Sequence, residues 1–168
     1  MNITEAIRAR RSIRKYAAGA EIPDADIQTL LEAAMMAPSA CNMRPWEFVV
    51  VKDAACKQAL VGAHPFAKHL LEASIGIVVC GLPEKHNHLS AEFWPQDCGA
   101  AVENILLQAL GLGYGTCWCG IYPNQDRVRQ FQQILDVQSV PLALITVGVP
   151  AETPDARGFY DPKAVVYR

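Results

Sequence analysis

Pro38-Ser39-Ala40-Cys41-Asn42-Met43-Arg44-Pro45-Trp46 is a polar stretch closed at both ends by proline. Upstream, Ile27, Leu30, Leu31, Ala34 and Met35 recur at helical spacing, and Pro38 closes that helix. Downstream, Trp46 leads into Glu47–Val51, an apolar run of strand length. The stretch therefore joins a helix to a buried strand. Held between prolines, Ser39 and Asn42 can present a hydroxyl and an amide in fixed geometry to a planar heterocycle. The same residues also read as an ordinary helix end leading into a strand.

Toward the N-terminus, Asn2 and Glu5 have capping-box spacing for a first helix over about Ile3–Arg10. Arg8, Arg10, Arg11, Arg14 and Lys15 then fall within eight residues with no acid among them. Without these five, ten cations face 17 acids, although the whole chain carries only −2. The turn Arg10-Arg11-Ser12-Ile13-Arg14 offers guanidinium forks and a hydroxyl, a set suited to a phosphate monoester. A nucleic acid is disfavoured, because the remaining surface repels a polyanion. The alternative is a solvated helix end with cations at the negative pole of the helix dipole.

Toward the C-terminus the pattern predicts a helix capped by Asp53, a helix over about Pro65–Ala73 and a strand at Ile75–Gly81. A polar loop over 83–95 precedes a long helix over about Gln96–Leu110. Next come a strand at Gly115–Ile121, a helix capped by Asn124 and a strand at Pro141–Val149. The long helix is apolar nearly all round and needs cover on every side, from its own chain or from a partner. Gly111-x-Gly113-x-Gly115 follows a helix rather than a strand, which excludes a dinucleotide fingerprint. Gly120 permits close approach of a ligand to the backbone.

With 168 residues, 51% of them hydrophobic, the chain fits one domain over 1–168. Met1–Glu5 lacks the apolar run of a signal peptide, and no run is long enough to span a membrane, so the expectation is cytoplasmic. Among six cysteines there is no Cys-x-x-Cys pair, and Cys117-Trp118-Cys119 is too tightly spaced for a zinc finger. Cys80, Cys98, Cys117 and Cys119 read as core residues. The four histidines do not make a metal set by spacing, and no metal is expected.

Taken together, Arg10–Arg14, Ala37–Trp46, Asp97–Asn104, Gly111–Gly113 and Gly115–Trp118 resemble the nitroreductase family of FMN-dependent oxidoreductases. The resemblance implies an α+β fold, with a central mixed β-sheet flanked by helices, in an interlocked homodimer with FMN at the subunit interface. By position, Arg10, Arg11, Ser12 and Arg14 would hold the phosphate and ribityl chain, with Arg157 as a further contact. Pro38, Ser39, Ala40 and Asn42 would face the flavin from the other subunit, and the Cys119 and Gly120 backbones would lie near its N5. No side chain is required as a catalytic acid. NADH or NADPH would reduce the flavin in a ping-pong cycle, and nitroaromatic or quinone-like planar acceptors would reoxidise it. Arg44 stands where many members carry Gln. Two alternatives remain: a flavoprotein of the same fold with another reaction, dehalogenation or flavin cleavage, and a non-catalytic anion-binding module.

Overall fold

A computed structural model describes residues 1–168. Its sheet is built from β1 (Trp46–Val51), β2 (Ile75–Gly81), β3 (Gly115–Gly120) and β4 (Val140–Gly148) in the order β1-β2-β4-β3. Every neighbouring pair is antiparallel. The expected mixed character is confined to one parallel bridge between Ser12 and Thr116. All of β2 is buried, because both faces of the sheet are covered. That is why its sequence is a continuous apolar run rather than an alternating one.

Alternation along the strands sends side chains into two cores. Ile75, Ile77, Val79, Ile145 and Val147 pack with α2 (Asp24–Met35) and α4 (Trp94–Gly111). Val78, Cys80, Leu144, Cys117 and Cys119 belong to a second cluster with residues of α3 (Ala54–Ala63) and α5 (Gln125–Leu135). A 3-10 segment, Pro65–Leu71, borders the second core where the spacing predicts an ordinary helix.

Local signals set several helix starts. Asn2 and Glu5 form a reciprocal capping box on α1 (Ile3–Ala9). The Asp53 and Asn124 side chains accept from the third residue on, Cys56 N and Arg127 N. Asp24 opens α2 from inside, with Pro23 at the cap. Helix α4 begins at Trp94, two residues before the expected start.

The N-terminal segment beyond α1 crosses the sheet edge and lies against it. A methyl group at Gly115 would meet Ile13 at 2.8 Å, and one at Gly148 would meet Tyr16 at 2.8 Å. These two glycines leave the room that Ile13 and Tyr16 fill. The Tyr16 hydroxyl reaches the Ile13 carbonyl and Thr146 Oγ1, each at 2.7 Å.

Candidate functional site

The basic turn is held by contacts made far along the chain. Ile13 N donates to Thr116 O, Ala17 N to Val149 O and Ala151 N to Lys15 O. Residues 149–155 therefore run beside the turn. Glu152 accepts from Arg14 N at 2.6 Å and Lys15 N at 3.2 Å, fixing the turn through its amides. The Arg11 guanidinium donates to the carbonyls of Arg8, Arg10 and Asp155, so its charge is spent on local shape.

What remains is a cleft of about 520 Å³ lined by Arg10, Arg11, Ser12, Arg14, Glu152, Pro154, Arg157 and Gly158, with no apolar residue among them. Arg10 lies 3.4 Å from Glu103 in a half-exposed pair. The Arg14 and Arg157 side chains have no partner within the chain. Arg14 and Ser12 on the turn, with Arg157 facing them from the tail, offer two free cations and a hydroxyl that fit a dianionic phosphate. All five predicted phosphate contacts thus meet in one place, and Glu152, which local sequence does not mark, shapes it.

The Pro38–Trp46 loop stands apart: Pro38, Ser39, Ala40 and Asn42 line no part of this cleft. The loop is tied down by Asp97, whose buried carboxylate accepts from Ala40 N at 3.0 Å. Asp97 and Glu103 sit on one helix, about 9 Å apart along its axis and on different faces. The two groups therefore do not meet within one chain. Within the loop, Ser39 Oγ accepts from Arg44 N at 2.9 Å, and Asn42 Oδ1 accepts from Arg44 Nε at 3.1 Å. Cys41, Asn42 and Arg44 all take left-handed backbone conformations, with φ of 51°, 53° and 50°. Such a run of non-glycine residues is costly and marks a shaped surface.

Strand β3 separates the remaining two candidates. Thr116, Trp118 and Gly120 turn their backbone groups to the free edge, as the Ile13 N bond to Thr116 O shows, while Cys119 faces the ladder with β4. The Gly120 amide is therefore the edge-facing donor of the pair. Nothing lies within 4 Å of a Cβ built on Gly120, so its surface is open. Its carbonyl is gripped by His64 Nε2 at 3.0 Å and by the Arg127 guanidinium at 2.9 Å. Burial holds the His64 imidazole below its ordinary pKa, hence neutral. Neither residue carries a local sequence signal for this role.

Behind the strand, spacing is a poor guide. His69, Cys117 and Cys119 converge, although their positions in sequence do not suggest it. The neighbouring Cys119 thiol, and after it the His69 ring, hold the Cys117 thiol below its ordinary range, while Cys117 and burial push Cys119 up.

An antiparallel sheet between two helical layers, with a basic cleft where the N-terminal segment meets the β3 edge, defines the α+β class of the chain. The nitroreductase family model matches residues 7–77 and 64–149, and the chain belongs to that family. It is 38% identical over 167 residues to a Methanothermobacter thermautotrophicus protein named "Putative NADH dehydrogenase/NAD(P)H nitroreductase", covering 98% of this chain and 86% of that protein. A crystal structure of a protein of the same name from Bacteroides thetaiotaomicron superposes with a TM-score of 0.91 at 36% identity, covering 98% and 95% of the two chains. The FMN-dependent nitroreductase of Clostridium difficile superposes with a TM-score of 0.89 at 28% identity, covering 98% of each chain.

Proposed function

We propose that this protein is an FMN-dependent NAD(P)H oxidoreductase acting on planar acceptors such as nitroaromatics and quinones. The observation that carries the reading is the cleft in which Arg14 and Arg157 present unpaired guanidinium groups beside Ser12. That donor set fits the phosphate of FMN, and the open surface at Gly120 leaves room for a flat ring against the backbone. Bound FMN would supply two-electron transfer between a nicotinamide and an acceptor. The chain's own part is to bind and orient. Arg10, Ser12, Arg14 and Arg157 hold the phosphate end, and Arg11 keeps the turn in shape. The Gly120 amide, steadied by His64 and Arg127 on its carbonyl, offers a fixed donor to the ring.

The separation of the Pro38–Asn42 loop from the cleft supports a homodimer, in which Pro38, Ser39, Ala40 and Asn42 of one subunit complete the site of the other. Exposed apolar side chains favour the same assembly. Ile3, Ile7 and Met36 are 60–78% exposed near α4, as are Phe159, Tyr160 and Tyr167 of the tail, at 71–88%. The shape of the 38–44 loop, strained and facing outward, is what a partner's ligand would use. No helix is long and apolar enough to cross a membrane.

The test is the absorbance spectrum of the purified protein, then anaerobic addition of NADH or NADPH. Flavin bands that bleach with one donor and return with a nitroaromatic or quinone support the reading, and parallel double-reciprocal plots support ping-pong order. A colourless protein that takes up no added FMN sinks it.

A further inference from the structure

The face of β3 turned away from Trp118 and Gly120 carries a cluster that the flavin reading does not use. Cys117 and Cys119 are two residues apart on one strand and so point the same way. His69 meets them from the 3-10 segment Pro65–Leu71. Its Nε2 lies 3.6 Å from Cys119 Sγ, and all three donor atoms lie within 4.8 Å of one another. The three residues are buried, at 9%, 2% and 7% exposure, and both thiols are free.

Around a four- or three-coordinate ion with bonds of about 2.3 Å to sulfur and about 2.0 Å to nitrogen, neighbouring ligand atoms sit roughly 3.5–4 Å apart. The His69–Cys119 separation already has that value. The His69 ring also packs beside Tyr16, with centroids 6.4 Å apart and planes at 29°, and the Tyr16 hydroxyl is itself bonded to Ile13 O and Thr146 Oγ1. The set contains nitrogen and sulfur only, which disfavours magnesium, calcium and manganese and favours thiophilic ions. Two thiolates and a neutral imidazole bring a divalent ion to zero net charge and a monovalent ion to −1. Either state is compatible with burial in the core that Cys117 and Cys119 share with Val128, Phe131 and Leu144.

We propose that His69, Cys117 and Cys119 form a binding site for one thiophilic d10 cation, Zn2+ or Cu+. The site ties the 3-10 segment to β3 from behind, on the face opposite Gly120, and it rests on no bound flavin.

The experiment uses the full chain, reduced and anaerobic. Zn2+ is titrated against the indicator 4-(2-pyridylazo)resorcinol, and Cu+ against bathocuproine disulfonate. The expected result is one equivalent withdrawn from at least one chelator. Withdrawal of zinc alone marks a divalent site, and withdrawal of copper alone marks a Cu+ site. Cys117→Ser and Cys119→Ser should each weaken binding by at least about tenfold, the least that loss of a direct ligand is expected to cost. Cys41→Ser, at an exposed position, should leave it unchanged. Co2+ should give a thiolate charge-transfer band in the parent protein that is lost in Cys117→Ser. A parent protein that competes with neither chelator overturns the proposal, whatever the variants do. So does binding that survives both cysteine substitutions. Flavin content read in the same samples keeps this outcome separate from that of the flavin assignment.

Discussion

The basic turn and the Pro38–Trp46 loop are both short polar segments next to a helix, yet they are built in opposite ways. The turn is shaped by distant partners, Thr116, Val149, Glu152 and Asp155, and it leaves Arg14 with charge to spare. The loop is shaped largely by itself: Ser39 and Asn42 are already spent on Arg44, and three residues take left-handed conformations. One region offers surplus charge. The other offers contour, with Asp97 tethering its middle at Ala40 N and Leu82 N and Cys98 holding its base at the Pro45 carbonyl. The difference teaches that polar residues in a candidate site are not equivalent until their existing partners have been counted.

The sharpest way to break this contrast is at the cations. Arg14→Ala should weaken FMN binding by about 1.5–3 kcal/mol, the loss of a charge-assisted bond. Arg10→Ala should act in the same direction but less strongly, because that side chain already faces Glu103. Fluorescence titration with FMN checks both, and equal affinities in the parent and both variants would dismiss the phosphate assignment.

The loop's tether comes next. Asp97→Ala removes the acceptor for Ala40 N and should cost about 1–2 kcal/mol of folding stability, read by urea denaturation. A variant as stable as the parent would mean that the loop holds its shape alone.

Alkaline pH tests the base of the loop. Cys98 lies 3.6 Å from the Pro45 carbonyl and 3.8 Å from that of Cys80. Burial pushes both thiols up to about 12. In the unfolded chain they ionise near the ordinary value of about 9. Between those values the folded state binds more protons, so stability is full below about 9 and falls as pH rises toward 12. The fall should be roughly 1 kcal/mol per thiol one unit above the unfolded value. Cys98→Ala should flatten the curve in denaturation series run at rising pH; an unchanged slope would remove the thiol as its cause.

The smallest effect is expected from Asn42→Ala. Its bond to Arg44 is exposed, but Ala tolerates the φ of 53° less well than Asn, so stability should fall by roughly 0.5–1 kcal/mol, while flavin affinity or redox potential shifts. If neither affinity nor potential moved, Asn42 would have no place at the flavin.

Much of this was legible in the chain. Continuous apolar runs marked β2 and β4, the Asn2, Asp53 and Asn124 caps marked three helices, and the arginines of the turn marked the cleft. What stayed hidden depends on tertiary approach. Glu152 is an ordinary acid until the chain returns beside residues 11–17. His64 and Arg127 have no signal for reaching the Gly120 carbonyl, and His69 stands 48 residues before Cys117. The alternation that places Gly120 rather than Cys119 at the strand edge requires the register with β4, which composition does not set.

The seating of the basic turn against residues 149–155 also bears on how the protein is made. Arg11 and the Asp155 carbonyl it holds are 144 residues apart, and Arg14 and Glu152 are 138 apart. At roughly 5–20 residues per second, the turn waits on the order of ten seconds after its own synthesis for its partners. The basic cleft is therefore completed long after its first half has been synthesised, and the cations of the turn stand without their tertiary partners in the interval.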